Sequence, residues 1–251
     1  MAKKILALII FVFAQTTHAG PKSAYVWNDL RDGLRYTSFS FSGEDFDRTI
    51  LHAFEVDPKK FRIEPLLASS PQGEFLETIA KREGAVVAVN GGFFRPDHSS
   101  IGLIIKDKKI INKQHHTSWW SIFSLEDNVP QITNPSEFYP SPATQMAIQA
   151  GPRLVVNGLI PKLKDGKAER TGIGITSTGK IILLITEGMP LSMRQFAERF
   201  VLSRWQGGLE CMNAMNLDGG GSTQLYAAVG KLSISLPGRS KVANAIGVFP
   251  K

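Results

Sequence analysis

Residues 211–217 form a short apolar run, Cys211-Met212-Asn213-Ala214-Met215-Asn216-Leu217, which leads directly into Asp218-Gly219-Gly220-Gly221-Ser222. A helix pattern precedes this run, because Ser192 and Gln195 form a capping-box pair and an apolar stripe follows at helical spacing. The stripe comprises Met193, Phe196, Ala197, Phe200 and Val201. The pair Gly207-Gly208 is the expected end of the helix. The pattern predicts a helix that packs on a sheet and leads into a strand with a glycine-rich end.

The same order of elements occurs earlier in the chain. Apolar residues of the segment 75–80 fall on one helical face, and Gly84 is the expected helix stop. An apolar run over residues 85–89 follows and ends in Asn90-Gly91-Gly92. The local residues alone could equally form a plain Asn-Gly turn. The shared construction nevertheless suggests that the two strand ends face one another across a pocket.

Three further segments have the alternation and the turn residues of β-hairpins. They are residues 103–111 around Asp107-Lys108, residues 154–160 around Asn157-Gly158, and residues 173–185 around Thr178-Gly179. Strand segments outnumber helices, and the turns are tight. The sequence therefore predicts an α+β fold, with a single domain over residues 20–251, a mixed, largely antiparallel β-sheet and a few packing helices.

The composition is that of a globular protein. The 251 residues are 43% hydrophobic and 20% charged, which excludes disordered and collagen-like chains, and a single Cys excludes an internal disulfide framework. The formal net charge of +7 suits an anionic partner, whether nucleic acid, glycan or lipid. We expect no nucleic-acid partner, because the chain lacks a lysine-rich stripe with interleaved aromatic residues.

The segment 1–19 has the layout of a secretory signal peptide. Lys3 and Lys4 precede an apolar run over residues 5–14, and Thr17-His18-Ala19 offers a small-residue cleavage site. The apolar run is too short to span a membrane, and no later stretch is long enough. We therefore expect an exported protein, periplasmic or secreted, without a transmembrane segment. Loss of the two lysines would lower its net charge from +7 to +5.

The string around Asp218 is the strongest candidate for chemistry. Three successive glycines remove the Cβ atoms that would block a ligand, and they free several N–H groups to point towards it. A carboxylate beside such a nest can act as an acid or base, hold a sugar hydroxyl or ligate a cation. A tight turn would need only one glycine, so the triplet favours a functional site. A divalent cation at Asp218 stays open, and the sequence requires no other cofactor.

Charged residues also lie at the ends of other predicted strands. Glu187 follows the apolar run 181–185 and supplies a second carboxylate, while Arg153 and Arg170 lie at the edges of strand-like runs. Arginine binds phosphate through two parallel hydrogen bonds, although each arginine taken singly could be an ordinary surface residue. Two acids, two arginines and two glycine-rich strand ends together favour a site for an anionic sugar.

Common nucleotide and metal motifs are incomplete. Gly172-Ile173-Gly174 lacks the third glycine of a dinucleotide loop, and a strand pattern rather than a helix follows it. The adjacent pair His115-His116 does not have helical ligand spacing and is interpreted as part of a solvated loop.

The chain resembles the phosphodiester glycosidase family, and motifs occur here in the family's order. They are Asn90-Gly91-Gly92-Phe93-Phe94, Gly151-Pro152-Arg153-Leu154-Val155, Arg170-Thr171-Gly172-Ile173-Gly174, Asp218-Gly219-Gly220-Gly221-Ser222 and Val242-Ala243-Asn244-Ala245-Ile246-Gly247-Val248. The lead-in, residues 57–61, resembles the bacterial branch formerly described as a domain of unknown function. The resemblance covers most of the chain from about Gly33 onward.

This resemblance implies hydrolysis of a glycosyl phosphodiester between the anomeric carbon and the phosphate oxygen. It places Asp218, Glu187 and Arg170 in the catalytic centre. The substrate-binding residues that it implies are Asn90, Gly91, Gly92, Gln149, Arg153, Gly219, Gly220, Gly221, Ser222 and Thr223. Met189 stands where family members often have Arg, and the basic residue expected before the last strand is either Arg239 or Lys241.

The resulting hypothesis is an exported hydrolase that cleaves a sugar-1-phosphodiester in an envelope or extracellular glycan. The phosphate would lie against Arg170 and the glycine amides, and Asp218 or Glu187 would activate water or stabilise an oxocarbenium-like centre. The alternative is a non-catalytic envelope glycan-binding protein on the same fold.

Overall fold

The computed structural model describes residues 25–42 and 48–251, so the predicted signal peptide lies outside the described residues. The described part contains the helices α1 (Leu76–Glu83) and α2 (Met193–Val201). Its strands are, in chain order, β1 (Asn28–Arg31), β2 (Leu34–Ser42), β3 (Arg48–Val56), β4 (Phe61–Leu67), β5 (Val87–Asn90), β6 (Ile104–Lys106), β7 (Lys109–Asn112), β8 (Ser121–Glu126), β9 (Val129–Thr133), β10 (Thr144–Ala150), β11 (Arg153–Val155), β12 (Lys167–Ala168), β13 (Thr171–Thr176), β14 (Ile181–Gly188), β15 (Leu191–Ser192), β16 (Cys211–Asn216), β17 (Leu225–Val229), β18 (Leu232–Leu236) and β19 (Asn244–Pro250). Short 3-10 turns lie at Pro135–Glu137, Arg204–Gln206 and Gly220–Ser222.

The strands of the described residues form three large sheets and one small one. The largest has the order β1-β2-β3-β14-β13-β16-β11, and the two five-stranded sheets have the orders β7-β6-β10-β8-β9 and β18-β17-β5-β19-β4. The strands β12 and β15 form a separate pair. Every strand pairing between these elements is antiparallel.

One hydrophobic core joins the three large sheets, and helices cover the outside. Along β14, Ile181, Leu183 and Ile185 face this shared core, which also contains Val89 of β5 and Phe123 of β8. The alternate residues of β14 pack instead with Phe196 and Phe200 of α2. On the other side of the molecule, α1 packs through Leu76, Ile79 and Ala80 on Ala88 and Ala245. Because the three sheets share one core, the fold is a single domain.

The glycines of the 172–174 segment make room for α2. A Cβ at Gly172 would lie 2.9 Å from a ring carbon of Phe196, and one at Gly174 would lie 2.7 Å from a ring carbon of Phe200. Both distances are shorter than carbon atoms tolerate, so the phenylalanine rings can lie flush on β13 only where the strand has no side chains. This close packing explains the partial resemblance to a dinucleotide loop.

Both predicted helices are present, but one ends earlier than expected. Gly84 follows α1 with a φ of 76°, and Ser192 begins α2 with a complete capping box. However, α2 ends at Val201 rather than at Gly207-Gly208. Leu202 is extended, and the chain then turns back so closely that a Cβ at Gly208 would collide with the carbonyl group of Leu202.

The prediction of the fold class is only partly right. The antiparallel strands, the packing helices and the hairpins around Asp107-Lys108 and Thr178-Gly179 are confirmed. The structure is richer in strands than an α+β fold implies, because it has three large antiparallel sheets rather than one mixed sheet. The expected hairpin over residues 154–160 reduces to a single bridge between Val156 and Leu159, since β11 pairs instead with β16.

Candidate active site

The two glycine-rich strand ends meet. The Asp218 N–H donates to the carbonyl of Gly91 over 2.9 Å. In return, the side-chain amide of Asn90 donates to the carbonyl of Asp218 over 2.7 Å. The segments after β5 and β16 therefore contact each other directly, through one main-chain and one side-chain hydrogen bond, rather than across a pocket.

Asn90 also binds two other elements. Its side-chain oxygen accepts hydrogen bonds from the Thr171 hydroxyl (2.6 Å) and the Gln224 N–H (3.1 Å). The residue is fully buried. Because the Asn90 side chain makes three hydrogen bonds to the protein, its visible function is to fix Asp218 against β13 and the segment before β17.

Two glycines of the triplet, Gly219 and Gly221, allow other parts of the chain to pack closely against the loop. A Cβ at Gly219 would lie 2.7 Å from the carbonyl oxygen of Glu169, and one at Gly221 would lie 2.8 Å from the Ser240 hydroxyl. The Gly220 N–H donates to the Glu169 carbonyl (2.8 Å), and the Gly219 N–H donates to the Asp218 carboxylate (2.9 Å). The N–H groups of Gly219 and Gly220, which we expected to point towards a ligand, therefore bind protein acceptors instead.

The Asp218 carboxyl group is largely removed from water. Burial raises its pKa above the ordinary value, while hydrogen bonds from the Ser222 side chain and the Gly219 N–H oppose the rise. A carboxyl group whose pKa is raised in this way holds a proton more readily at mildly acidic pH, so it suits a residue that exchanges protons with a substrate.

Glu187 lies at the end of β14, on the same sheet face as the shared core. Its carboxylate contacts Nε2 of His52 over 2.9 Å, and Nδ1 of that histidine contacts the Tyr36 hydroxyl over 2.8 Å. The His52 side chain is 9% exposed, whereas that of Glu187 is 44% exposed. The Glu187 carboxylate is therefore exposed to solvent, while the His52 ring that it contacts is buried.

Glu187 and the glycine-rich loop line one cleft of about 170 Å³, together with Glu169, Thr186, Gly188, Gly220, Thr223 and residues 236–239. The Thr223 hydroxyl is buried and has no hydrogen-bond partner among the described residues. Larger clefts lie elsewhere on the described surface, but neither glycine-rich loop lines the three that we find. The small cleft therefore brings together Glu187, Gly220 and Thr223, three of the predicted site residues.

A basic residue lies at the rim of this cleft. Arg239 forms a bidentate ion pair with Glu169. Its Nη1 contacts Oε1, and its Nη2 lies 3.0 Å from Oε2. Its main-chain N–H donates to Gly221, so the segment before β19 packs on the glycine triplet. Lys241 is exposed and is not among the residues that line the cleft. Of the two basic residues left open by the sequence, only Arg239 lines the cleft.

The two arginines predicted to bind phosphate are held by protein groups. The buried Arg170 donates to the carbonyls of Gly166 (2.5 Å) and Leu191 (3.3 Å), and burial lowers its pKa. Arg153 donates to Asn213 (2.9 Å), which lies five positions before Asp218 on β16. The structure thus brings neither guanidinium into the cleft that Glu187 lines.

Gln149 and Asn244 support the loop after β5. Gln149 is buried, and its side chain exchanges hydrogen bonds with the main chain of Leu103 and His115. The side-chain oxygen of Asn244 accepts from the Gly92 N–H over 2.7 Å. A Cβ at Gly92 would lie 2.7 Å from the Gln149 carbonyl oxygen, which explains why a glycine is required there.

Sequence reasoning missed His52 and Tyr36 as candidate site residues, and it gave no role to Glu169. None of the three belongs to a motif. Tyr36 and His52 come together through the pairing of β2 with β3, whereas Glu169, between β12 and β13, pairs with Arg239 of the segment before β19. The two-residue alternation of β2 and β3 would have placed Tyr36 and His52 on the core face, where a buried histidine requires polar partners.

A scan against protein-family models matches residues 83–249 to the model described as phosphodiester glycosidase. The chain belongs to the phosphodiester glycosidase family. Among curated proteins, no sequence matches this family member significantly. The family assignment therefore depends on the family model and is consistent with the solved structures described next.

Several solved structures share the fold of this phosphodiester glycosidase family member. The catalytic domain of zebrafish N-acetylglucosamine-1-phosphodiester alpha-N-acetylglucosaminidase, auto-inhibited by its pro-peptide, superimposes with a TM-score of 0.67 at 18% identity, over 95% of this chain and 87% of that one. A hypothetical protein from Synechocystis gives 0.62 at 16% identity, over 90% of this chain and 64% of that one. A protein from Burkholderia pseudomallei gives a TM-score of 0.57 at 13% identity, over 82% of this chain and 75% of that one. The chain thus spans less than two thirds of the Synechocystis protein, and at these identities the likeness concerns the fold alone.

The described residues of this family member show neither a metal-ligand cluster nor a membrane-spanning helix. They contain no group of three or more His, Cys, Asp or Glu side chains arranged to hold a metal ion. No helix in residues 25–42 and 48–251 is long and apolar enough to cross a membrane. The polar groups nearest to Asp218 are hydroxyls, amides and main-chain groups, so a cation at Asp218 stays a prediction.

Proposed function

We propose that the protein hydrolyses the glycosidic bond of a sugar-1-phosphodiester. A water oxygen would bond to the anomeric carbon while the bond from that carbon to the phosphate oxygen breaks. The phosphate monoester would leave with the bonding electrons, and the products would be a reducing sugar and a phosphate monoester. Phosphate is already a good leaving group, so positioning and charge stabilisation contribute more than a strong general acid.

The observation that carries the proposal is the fixed position of Asp218. Its main chain is held by Gly91 and Asn90, and its carboxyl group is buried enough to raise the pKa. Gly220, two residues further along, lines the cleft that Glu187 also lines. A partly buried acid and an exposed carboxylate are the two kinds of group that glycoside hydrolysis uses.

The cleft is lined by the carboxylates of Glu169 and Glu187 and by one cationic side chain, Arg239, so the negative charge of a diester would bind beside Arg239. Arg239 supplies a positive charge at the rim, while Glu169 occupies only one side of its guanidinium. The buried Thr223 hydroxyl offers a further donor. We assign the phosphate to this end of the cleft, with the sugar towards Asp218. In this arrangement Arg170 stabilises the loop around Gly166 and acts on the phosphate only indirectly.

We also propose that the protein works outside the cytoplasm, on an envelope or extracellular glycan. The proposal is based on the signal-peptide pattern of residues 1–19 and on the basic composition, which suits anionic glycans. Fusion of residues 1–24 to a reporter enzyme that is active only after export would test it directly.

A panel of activated sugar-1-phosphodiesters tests the reaction. The purified protein should release reducing sugar from at least one member, and the same sugars linked to an uncharged leaving group should react far more slowly. Assays with and without a chelator test the cation at Asp218, since loss of activity that added Mg²⁺ or Ca²⁺ restores would support it. Binding of the diesters with no release of sugar would favour the glycan-binding alternative.

A further inference from the structure

Three side chains form a continuous hydrogen-bonded row from the core to the cleft. The Tyr36 hydroxyl lies 2.8 Å from Nδ1 of His52, and Nε2 of His52 lies 2.9 Å from Oε2 of Glu187. The Glu187 side chain has no other hydrogen bond among the described residues, so its second oxygen is available to the cleft that it lines.

The register of the large sheet produces this row. His52 of β3 lies opposite Ser38 of β2 on one side and opposite Ile185 of β14 on the other. Tyr36 and Glu187 are each two residues away from those partners, so both point to the same face as His52. Diagonal neighbours on adjacent strands are within reach of long side chains, and the three residues therefore cross three strands in one line.

The hydrogen bonds determine which nitrogen of His52 carries the proton. An ionised carboxylate only accepts hydrogen bonds, so Nε2 must hold a hydrogen to donate to Glu187. Burial raises the pKa of Tyr36 although a hydrogen bond from the Ser38 side chain opposes the rise, so the phenol stays protonated and able to donate to Nδ1. With the proton on Nε2, the imidazole donates to Glu187 and accepts from Tyr36, so the ring, which is 9% exposed, has a partner at each nitrogen.

We infer that His52 is a positioning residue that holds Glu187 as an oriented carboxylate, and that Glu187 is therefore the base of the reaction. This inference rests on the proposed function. Glu187 takes a proton from the attacking water through its free oxygen, while the water oxygen bonds to the anomeric carbon and the phosphate monoester departs. Asp218, which lies two residues before the cleft-lining Gly220, is left to hold a proton or a sugar hydroxyl.

A matched pair of variants at His52 tests the inference. In His52→Gln the amide nitrogen lies near the position of Nε2 and can still donate to Glu187, whereas in His52→Asn the amide reaches only the position of Nδ1. We expect His52→Asn to lower kcat about 10- to 100-fold with little change in KM, and His52→Gln to retain most of kcat. Equal losses in the two variants would overturn the inference. Thermal unfolding of both proteins shows whether each is folded.

A double-mutant cycle separates positioning from a general structural effect. If His52 acts through Glu187, His52→Asn should cause no further loss of kcat in the Glu187→Gln background. If it lowers kcat by the same factor in both backgrounds, His52 acts independently of Glu187 and the inference is wrong.

An experiment without substrate keeps this inference distinct from the proposed function. Nitrogen-15 NMR of the labelled histidines should show the Nε2 of His52 protonated and its Nδ1 accepting a hydrogen bond, and Tyr36→Phe should weaken that preference. Protonation on Nδ1 in the wild-type protein would overturn the inference even if the protein is an active hydrolase. Conversely, a wild-type protein that releases no sugar would refute the proposed function while this NMR result stands.

Discussion

The side-chain amide of Asn90 donates a hydrogen bond of 2.7 Å to the main-chain carbonyl of Asp218, a residue 128 positions further along the chain. The oxygen of the same amide accepts from Thr171 and Gln224, so one buried side chain joins the ends of two strands to a third strand. The position of Asp218 thus depends on a residue that itself has no exposed surface.

Asn90→Ala should strongly destabilise the protein. It leaves the Thr171 hydroxyl, the Gln224 N–H and the Asp218 carbonyl without their partner, and we expect the free energy of unfolding to fall by about 3 kcal/mol. Urea denaturation measures the effect. The exposed Gln72→Ala is the control, with an expected change of less than about 0.5 kcal/mol. Equal stability of the two variants would show that the Asn90 contacts contribute little.

Asp218→Asn should remove catalysis and preserve the fold. The amide has the same shape and can still accept the Gly219 N–H through its oxygen, but it cannot exchange a proton. We expect kcat to fall about 10²- to 10⁴-fold, with an unchanged circular dichroism spectrum. The exposed Asp165→Asn serves as the control and should have wild-type kcat. Full activity of Asp218→Asn would remove Asp218 from the catalytic centre.

The same variant should change how stability depends on pH. Because burial raises the pKa of Asp218 in the folded state, ionising this group costs the folded protein more than the unfolded chain. Its contribution to stability is therefore complete below the unfolded-state pKa of about 3.9 and is lost as the pH rises through the folded-state value. Urea denaturation from pH 3.5 to pH 7 should show Asp218→Asn gaining stability relative to the wild type. A difference that is constant with pH would contradict the raised pKa.

Arg239 and Lys241 should differ as phosphate ligands. Arg239 lines the cleft and is held there by Glu169, whereas Lys241 does not line it. We expect Arg239→Ala to raise KM for a sugar-1-phosphodiester about tenfold with a smaller effect on kcat, because a charge-assisted hydrogen bond to the phosphate is lost. Lys241→Ala should leave both constants nearly unchanged. A larger effect of Lys241→Ala would reverse the assignment.

The sequence predicts the helices and hairpins around the site better than it predicts the strand pairings and side-chain contacts within it. Alternation, capping and turn residues are properties of neighbouring residues, so α1, the start of α2 and two hairpins follow from them. The pairing of β11 with β16, rather than with its own continuation, depends on the whole sheet and leaves no local signal. The same holds for His52, which becomes part of the site only because β3 lies between β2 and β14.

The glycines show a similar limit. The sequence indicates that residues 219–221 cannot carry side chains, but it does not indicate what excludes them. At Gly219 and Gly221 the structure identifies the excluding groups as the Glu169 carbonyl and the Ser240 hydroxyl, whereas Gly220 has open space at its Cβ position and a φ of 59°, which favours glycine. Likewise, the guanidinium of Arg170 is a group that commonly binds phosphate, yet in this fold it donates hydrogen bonds to main-chain carbonyls.

Hydrolysis in water enriched with oxygen-18 tests the central claim most directly. If the bond between the anomeric carbon and the phosphate oxygen breaks, the label should enter the released sugar, and mass spectrometry of the phosphate monoester should find none. Label in the phosphate product would show that the bond to phosphorus is cleaved. That result would make the protein a phosphodiesterase and would contradict its assignment as a glycosidase.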